Sequence, residues 1–449
     1  MTRGLKKTVS SIALATAAGL MATSAMAADL GGNCCADLEE RVAELEATAA
    51  RKGNRKVSLT VWGQVNQAIL WHDSDEADAF RSDKLTSRTN DQDVSKFGFR
   101  GEAQIRPGLT AGYLLEIGIY DDKGLGSETG SLLIRQNNVY LDSEVAGRLT
   151  LGQANQVTDG VFTITLGNTR VTPGEMDEHS GVLGARYATT FATPYDGGRR
   201  KGVYYRTPSL AGFILSAGWS SGTQDKDKEY VEGKDFSVAT KADSFDDSDD
   251  HYEIALRYAG EFNGVRVAAG IGYRKEKDNT DSLAKVVFDS DLTKWYGGRS
   301  DAKVWMGSAS VMHTPTGLFV SGGYGKKDAE NNIADQKGWW INAGIEKNWT
   351  GLGNTTIYGE YMKNDLRHNH YAVAYYDAEG EWDDIVEWKD QHDGHFWGIG
   401  IVQSIDAAAT DLYLNMRRYE LDAVSYHGGE DKAEGGDATV VTGGMIIRF

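Results

Sequence analysis

A sixteen-stranded antiparallel transmembrane β-barrel, an all-β fold, is what this sequence predicts, on three observations. Residues 56–449 alternate apolar and polar side chains with a period of two, their connectors are tight and long in turn, and the chain closes on the alternating run Val440-Val441-Thr442-Gly443-Gly444-Met445-Ile446-Ile447-Arg448-Phe449. In a membrane wall every second residue faces lipid and the others a wet lumen, so no strand needs a long apolar run. A terminal aromatic suits a closing strand at a membrane interface.

The first element is an export address. Arg3, Lys6 and Lys7 form a basic start, Ile12 to Leu20 an apolar middle, and Ala25-Met26-Ala27 a small-residue cleavage site, so residues 1–27 read as a signal peptide. That apolar stretch is too short to span a bilayer and no other run of about 18 apolar residues exists, which excludes a helical membrane protein. Cys34 and Cys35 lie inside the mature chain rather than at its start, so an acyl anchor is not expected.

Residues 28–55 form a separate periplasmic segment. Cys35, Leu38, Val42, Leu45 and Ala49 recur at spacings of three and four, the seam of a short helix. Two heptads do not hold a helix in isolation. Three copies tethered by associated barrels pair at high local concentration; a single helix docked on its own barrel rim also fits. The cysteines stand in an oxidising compartment, which permits interchain disulfides, and lack the neighbouring histidines a metal or haem site needs.

The barrel, residues 56–449, begins with Val57, Leu59, Val61, Val65 and Ile69 alternating with Ser58, Thr60, Gln64 and Asn66, which points Trp62 inward. The second strand sets Phe97, Phe99, Ala103 and Ile105 against Lys96, Arg100, Glu102 and Gln104, then turns at Arg106-Pro107-Gly108. Further strands are expected near 109–121, 131–142, 147–155, 201–207, 211–220, 251–261, 264–275, 303–313, 317–326, 338–349, 354–364, 395–405, 408–419 and 438–449. Long polar connectors at 72–92, 121–130, 156–200, 221–250, 276–302, 327–337, 365–394 and 420–437 are read as extracellular loops, and the short ones as periplasmic turns. The third loop, 156–200, carries Phe162, Ile164, Leu166, Val182 and Leu183, too much apolar surface for a solvated loop, and is expected to fold into the lumen.

Composition agrees. The chain has 54 Gly but 5 Pro, with 21 Tyr and 11 Trp, suiting closely paired strands with aromatic interface residues. Removing the three signal-peptide cations takes the formal charge from -18 to about -21, which argues against nucleic acid as a partner.

The chain resembles the alphaproteobacterial porins typified by the major outer-membrane porins of Brucella and the rhizobia. The resemblance rests on the stretch Cys34 to Glu46, on Gly63-Gln64-Val65-Asn66, Phe97-Gly98-Phe99-Arg100-Gly101-Glu102 and Thr150-Leu151-Gly152-Gln153, and on Asp196-Gly197-Gly198-Arg199-Arg200 before Val203-Tyr204-Tyr205 and the terminal Phe449. It implies a homotrimer in the outer membrane of a Gram-negative bacterium, passive diffusion of ions and small hydrophilic solutes, and a third loop inside each barrel.

A passive pore needs a hydrated path and a field rather than catalytic atoms. Parity places Arg100, Arg135, Arg148, Arg206 and Arg417 on lumen faces, while the third loop carries Asp159, Glu175, Asp177, Glu178 and Asp196. Opposed charges across a low-dielectric constriction sort ions strongly; the plainer alternative is that each merely pairs with a neighbour or solvates a wide lumen. No catalytic residue, cofactor or metal is expected. There is no G-x-S-x-G and no P-loop, and His368, His370, His392 and His395 crowd one loop without a metal-ligand pattern. The acidic run Asp243 to Asp250 reads as a hydrated loop that meets lipopolysaccharide through divalent ions. A substrate-selective channel would need a continuous lane, and Tyr204, Tyr358, Tyr413 and Trp340 are too scattered to form one. An adhesin or membrane enzyme has still less behind it.

Overall fold

The computed structural model describes residues 56–74, 85–90, 93–120, 131–170, 183, 187, 190–221, 250–279, 294–295, 300–329, 335–376, 382–427 and 430–449. The signal peptide, residues 28–55 with the expected helix at Cys35, Leu38, Val42, Leu45 and Ala49, and Glu175, Asp177 and Glu178 lie outside the described residues.

Among the described residues, eighteen strand segments form one antiparallel sheet closed on itself. Sixteen positions make the wall. They are β1 (Thr60–Ser74), β2 in two halves (Leu85–Thr89 and Lys96–Arg106), β3 (Leu109–Tyr120), β4 (Ser131–Ser143), β5 (Gly147–Asn155), β6 (Arg199–Arg206), β7 (Phe213–Ser220) and β8 (His251–Phe262). They continue as β9 (Val265–Asn279), β10 (Ser300–His313), β11 (Leu318–Ala329), β12 (Asp335–Lys347), β13 (Thr355–Tyr376), β14 (Trp382–Ile405), β15 (Thr410–His427) and β16 (Glu430–Arg448). The remaining segment, Lys294–Trp295, pairs with Ala374 and Val373 of β13 outside the wall.

The barrel closes where β1 meets β16, from Gln64 opposite Arg448 to Ser74 opposite Ala438. Phe449 completes the seam by exchanging backbone hydrogen bonds with Gly63 at 2.9 and 3.0 Å. Its ring fills the space where a side chain at Gly63 would stand, so only glycine fits there.

Period-two alternation decides the two faces. On β1, Val65 and Ile69 are 48% and 55% exposed while Asn66 and Leu70 are 2% and 0% exposed, which puts the first pair on lipid and the second inside. Short turns gather at one end, two of them made by Gly264 and Gly317 with φ of +76° each, a left-handed conformation that glycine takes without strain.

Two features depart from the sequence reading. Residues 365–394 and 420–437, expected as loops, belong largely to ladders: β13 pairs with β14 from Thr355 opposite Gln403 up to Tyr376 opposite Trp382, and β15 with β16 as far as His427 opposite Glu430. Above the membrane both faces of a hairpin meet water, so pairing continues after the apolar alternation that revealed it has stopped. The second departure is in β2. Its upper half pairs with Gln67 to Trp71 and its lower half with Thr60 to Gln64, and Asn90 and Asp93 between them bond to the inner wall. There Gln64 donates to Asp93 at 2.6 Å, and the buried Asn90 donates to Tyr413, whose hydroxyl donates to Asn66, both at 2.8 Å.

The apolar core lies inside the barrel. It joins Val161, Phe162, Leu183, Tyr187, Phe191 and Tyr195 of the third long connector to Met306, Phe319, Trp340, Phe396 and Tyr419 of the inner wall.

Candidate functional site

The connector between β5 and β6 enters the lumen through a buried polar knot. Gln156 donates to Glu253 Oε1 of β8 at 2.9 Å, and Thr158 gives both its backbone N–H (3.0 Å) and its hydroxyl (2.7 Å) to Glu253 Oε2. From there the chain runs down the inner wall. Ile164 N–H and Leu166 N–H donate to Ser308 and Ser310 of β10 at 3.0 and 2.9 Å, and Asn168 N–H to Glu346 of β12 at 2.8 Å. Arg170 pairs with Asp411 at the start of β15, so this limb reaches the short-turn end of the barrel.

The returning limb packs on the same side. Phe191 sits 5.9 Å from Phe396 and 5.2 Å from Tyr419, and Phe162 packs 4.8 Å from Tyr195. Trp340 Nε1 donates to Phe162 O at 2.8 Å, while Arg274 donates to Pro194 O at 2.7 Å. A side chain at Gly325 would stand 2.3 Å from the Tyr195 ring, so this wall glycine makes room for the loop. The described residues of the loop thus line the side of the lumen bounded by β8–β15.

The predicted charges divide among three situations. Arg148 and Arg206 face each other across β5 and β6 and share one carboxylate, Asp142; Arg148 bonds it at 2.6 Å and Arg206 lies 3.9 Å away. Arg148 also lies over the Tyr140 ring at 4.1 Å. Arg100 is exposed on the neighbouring inner wall, and Arg135 pairs with Glu116 at 2.7 Å and donates to the Tyr120 hydroxyl at 2.8 Å. These four stand on the β2–β6 side, opposite the loop.

Arg417 is different. Its side chain is 0% exposed, held by Glu360 at 2.9 and 3.1 Å and stacked on the Phe396 ring at 4.6 Å. Parity pointed it inward, but it is fully buried beneath the Phe396 ring, which itself packs on Phe191 of the loop, so it presents no face to an open path.

The two described loop aspartates also differ. Asp196 ties the limbs together, accepting from Phe162 N–H at 2.7 Å and Thr163 Oγ1 at 3.0 Å. Asp159 turns its carbonyl to Arg257, and its carboxyl lies within Coulombic reach of Arg199, Arg257 and Arg135. Burial, with the Asp196 charge second, pushes Asp159 up to about 7, and burial pushes Asp196 up to about 6.

Sequence reasoning passed over Glu253, Arg274 and Glu360, which hold the loop or its wall. Each is a charge on an inward position of a predicted strand, so parity marked the face and left the partner unspecified. Among the described residues no group of three or more His, Cys, Asp or Glu is placed to hold a metal ion.

Comparison with known proteins gives a consistent picture. The sequence model of a family described as Gram-negative porin matches residues 12–443. An outer membrane porin protein of Bordetella pertussis is 26% identical over 292 residues, 63% of this chain and 70% of the relative. Among solved structures, OmpT, an outer membrane protein of Vibrio cholerae, matches with a TM-score of 0.51 at 13% identity, covering 89% of this chain and 99% of that one. An anion-selective porin from Comamonas acidovorans has a TM-score of 0.49 at 16% identity, over 88% of this chain and all of the other.

Proposed function

This chain belongs to the Gram-negative porin family and is an outer-membrane channel; on that premise we propose that ions and small hydrophilic solutes diffuse passively between its third loop and the inner wall of β2–β6. The observation that carries this reading is the asymmetry of the lumen. The described parts of the loop are bonded and packed against β8–β15, while opposite them Arg100 is exposed and Arg148 and Arg206 are partly open to water. We place the constriction between these arginines with Arg135 on one side and Asp159, with Glu175, Asp177 and Glu178, on the other. Family and fold point to a channel rather than an enzyme. We assign the chain to the alphaproteobacterial branch on the stretch Cys34 to Glu46, and take the working unit as a homotrimer whose residues 35–49 join near its axis.

Purified protein in planar bilayers is expected to give ohmic, water-filled pores with little discrimination among small solutes. Saturable conductance, blocked by one sugar or anion at low concentration, would replace this reading with a substrate-selective channel.

The loop carboxyls make selectivity depend on pH. A carboxyl whose folded pKa is raised is ionised above that value and neutral below it, so acidification from pH 8 to pH 5 removes charge from Asp159 (about 7) and Asp196 (about 6). Anion preference should therefore rise as pH falls. By linkage the packed loop gains stability over the same interval, because the folded state binds the extra protons. Reversal potentials in a salt gradient check this: D159N/D196N at pH 8 should behave like the unaltered channel at pH 5, and a variant that keeps the full pH dependence would remove these two groups from the account.

A further inference from the structure

The lipid-facing surface of β9–β12 carries an arrangement that transport does not use. Tyr273 lies directly across from Trp305, with ring centroids 4.5 Å apart, and Tyr324 directly across from Trp339. Two residues nearer the long-loop end, each aromatic pair is followed by a pair of lysines, Lys275 opposite Lys303 and Lys326 opposite Lys337. Their strand neighbours Arg274, Met306, Lys327 and Trp340 are buried inside, so by alternation these eight side chains point outward.

Like charges directly opposite each other in an antiparallel sheet repel. Here the repulsion occurs twice on adjacent hairpins, in a chain of net charge -18. Carboxylates lie close by: Lys275 pairs with Asp301 at 2.8 Å, Lys326 with Asp328 at 2.6 Å and Lys337 with Asp365 at 3.0 Å. Such exposed pairs hold weakly and are easily exchanged for a more highly charged anion. Aromatics mark the membrane interface on a barrel wall, so the lysines just beyond them stand at the level of lipid headgroups on the extracellular side. Trp305 stands opposite Lys326, so the two lysine pairs lie two strand spacings apart and two residues out of step along the strands, with centres about 12 Å apart. Below them Ile271, Val311, Val320 and Ile341 offer exposed apolar surface to acyl chains.

We propose that the outward face of β9–β12 is a binding site for a phosphorylated lipid of the outer leaflet, with one headgroup phosphate held between Lys275 and Lys303 and a second between Lys326 and Lys337. The phosphate displaces the lysines' carboxylate contacts, and the Tyr273–Trp305 and Tyr324–Trp339 rings fix the depth of the glycolipid head. This inference rests on placement in the outer membrane and is independent of what passes through the pore.

Native mass spectrometry of the detergent-solubilised full chain, titrated with diphosphoryl lipid A and with its dephosphorylated form, tests it. The unaltered protein should prefer the diphosphoryl lipid, and K275Q/K303Q/K326Q/K337Q should lose that preference by at least about tenfold, since each lysine near an anionic surface contributes separately. D301N/D328N/D365N should bind as well or better, because it removes competing carboxylates; weakening like that of the lysine variant would reduce the belt to mutual salt bridges and overturn the site. Equal binding of both lipids, unchanged binding by the lysine variant, or full competition by millimolar inorganic phosphate would also overturn it. Heat-modifiable migration in SDS gels establishes that each variant is folded. Conductance per pore should stay at the unaltered value in the lysine variant, so failure here and failure of the channel reading are separable.

Discussion

Replacing Arg100, Arg148 and Arg206 with glutamine is expected to move the zero-current potential in a salt gradient markedly towards cations. The three guanidiniums line the side of the lumen that the loop leaves free, and two of them share the single carboxylate of Asp142. Glutamine removes all three positive charges and leaves the neighbouring carboxylates of Glu102, Asp142 and Glu144 in place. At about 5 Å, inside the screening length, even a water-like dielectric lets one charge change the energy of a passing ion by about 0.8 kcal/mol, so three charges together alter the permeability ratio several-fold. Charges in residues 221–250, read from the sequence as an extracellular loop, should do much less, because salt screens them beyond about 8 Å. Equal shifts from both sets, or none from the arginines, would place the narrowest point elsewhere.

The second large effect is expected at Arg417, as a loss of stability and loop order rather than through its charge. With both side chains of the Arg417–Glu360 pair fully buried, R417M alone strands a buried carboxylate without its cation. Breaking a buried pair from one side costs about 3–5 kcal/mol, whereas replacing both partners with apolar groups of similar size is often close to neutral. Urea unfolding in detergent should therefore show a large loss for R417M and for E360L, and a much smaller one for R417M/E360L. Arg417 stacks on Phe396, which packs against Phe191 of the loop, so the single variants should also give noisier conductance. Additive losses in the double variant would mean that the ion pair is not the unit that matters.

The arginines show how far the sequence reached. All five predicted ones carry inward parity, yet they face different surroundings: Arg148 and Arg206 share Asp142, Arg135 is paired with Glu116, and Arg417 is sealed against Glu360. Parity reports which side of the sheet a residue occupies. It does not report which side chain arrives from another strand, and Glu360 lies 57 residues from Arg417. The inward contacts between the halves of β2 were hidden for a related reason. Asn90 read as ordinary loop polarity and Asp93 lay between that loop and the next strand, and contacts to Tyr413 of β15 and Gln64 of β1 give them a place inside.

By itself the sequence determined the closed antiparallel wall, its sixteen positions, the two faces of each strand and the rim on which the short turns lie. Lipid on one side and water on the other impose a period of two on each residue separately, so the order of residues along the chain records it. The tertiary structure alone decided the route of residues 156–170 and 190–198 along β8–β15, the burial of Arg417, and the pairing of 365–394 and 420–437 beyond the membrane. Those outcomes depend on contacts between segments far apart in the chain, or on ladders with water on both faces, and neither leaves a local alternation to read.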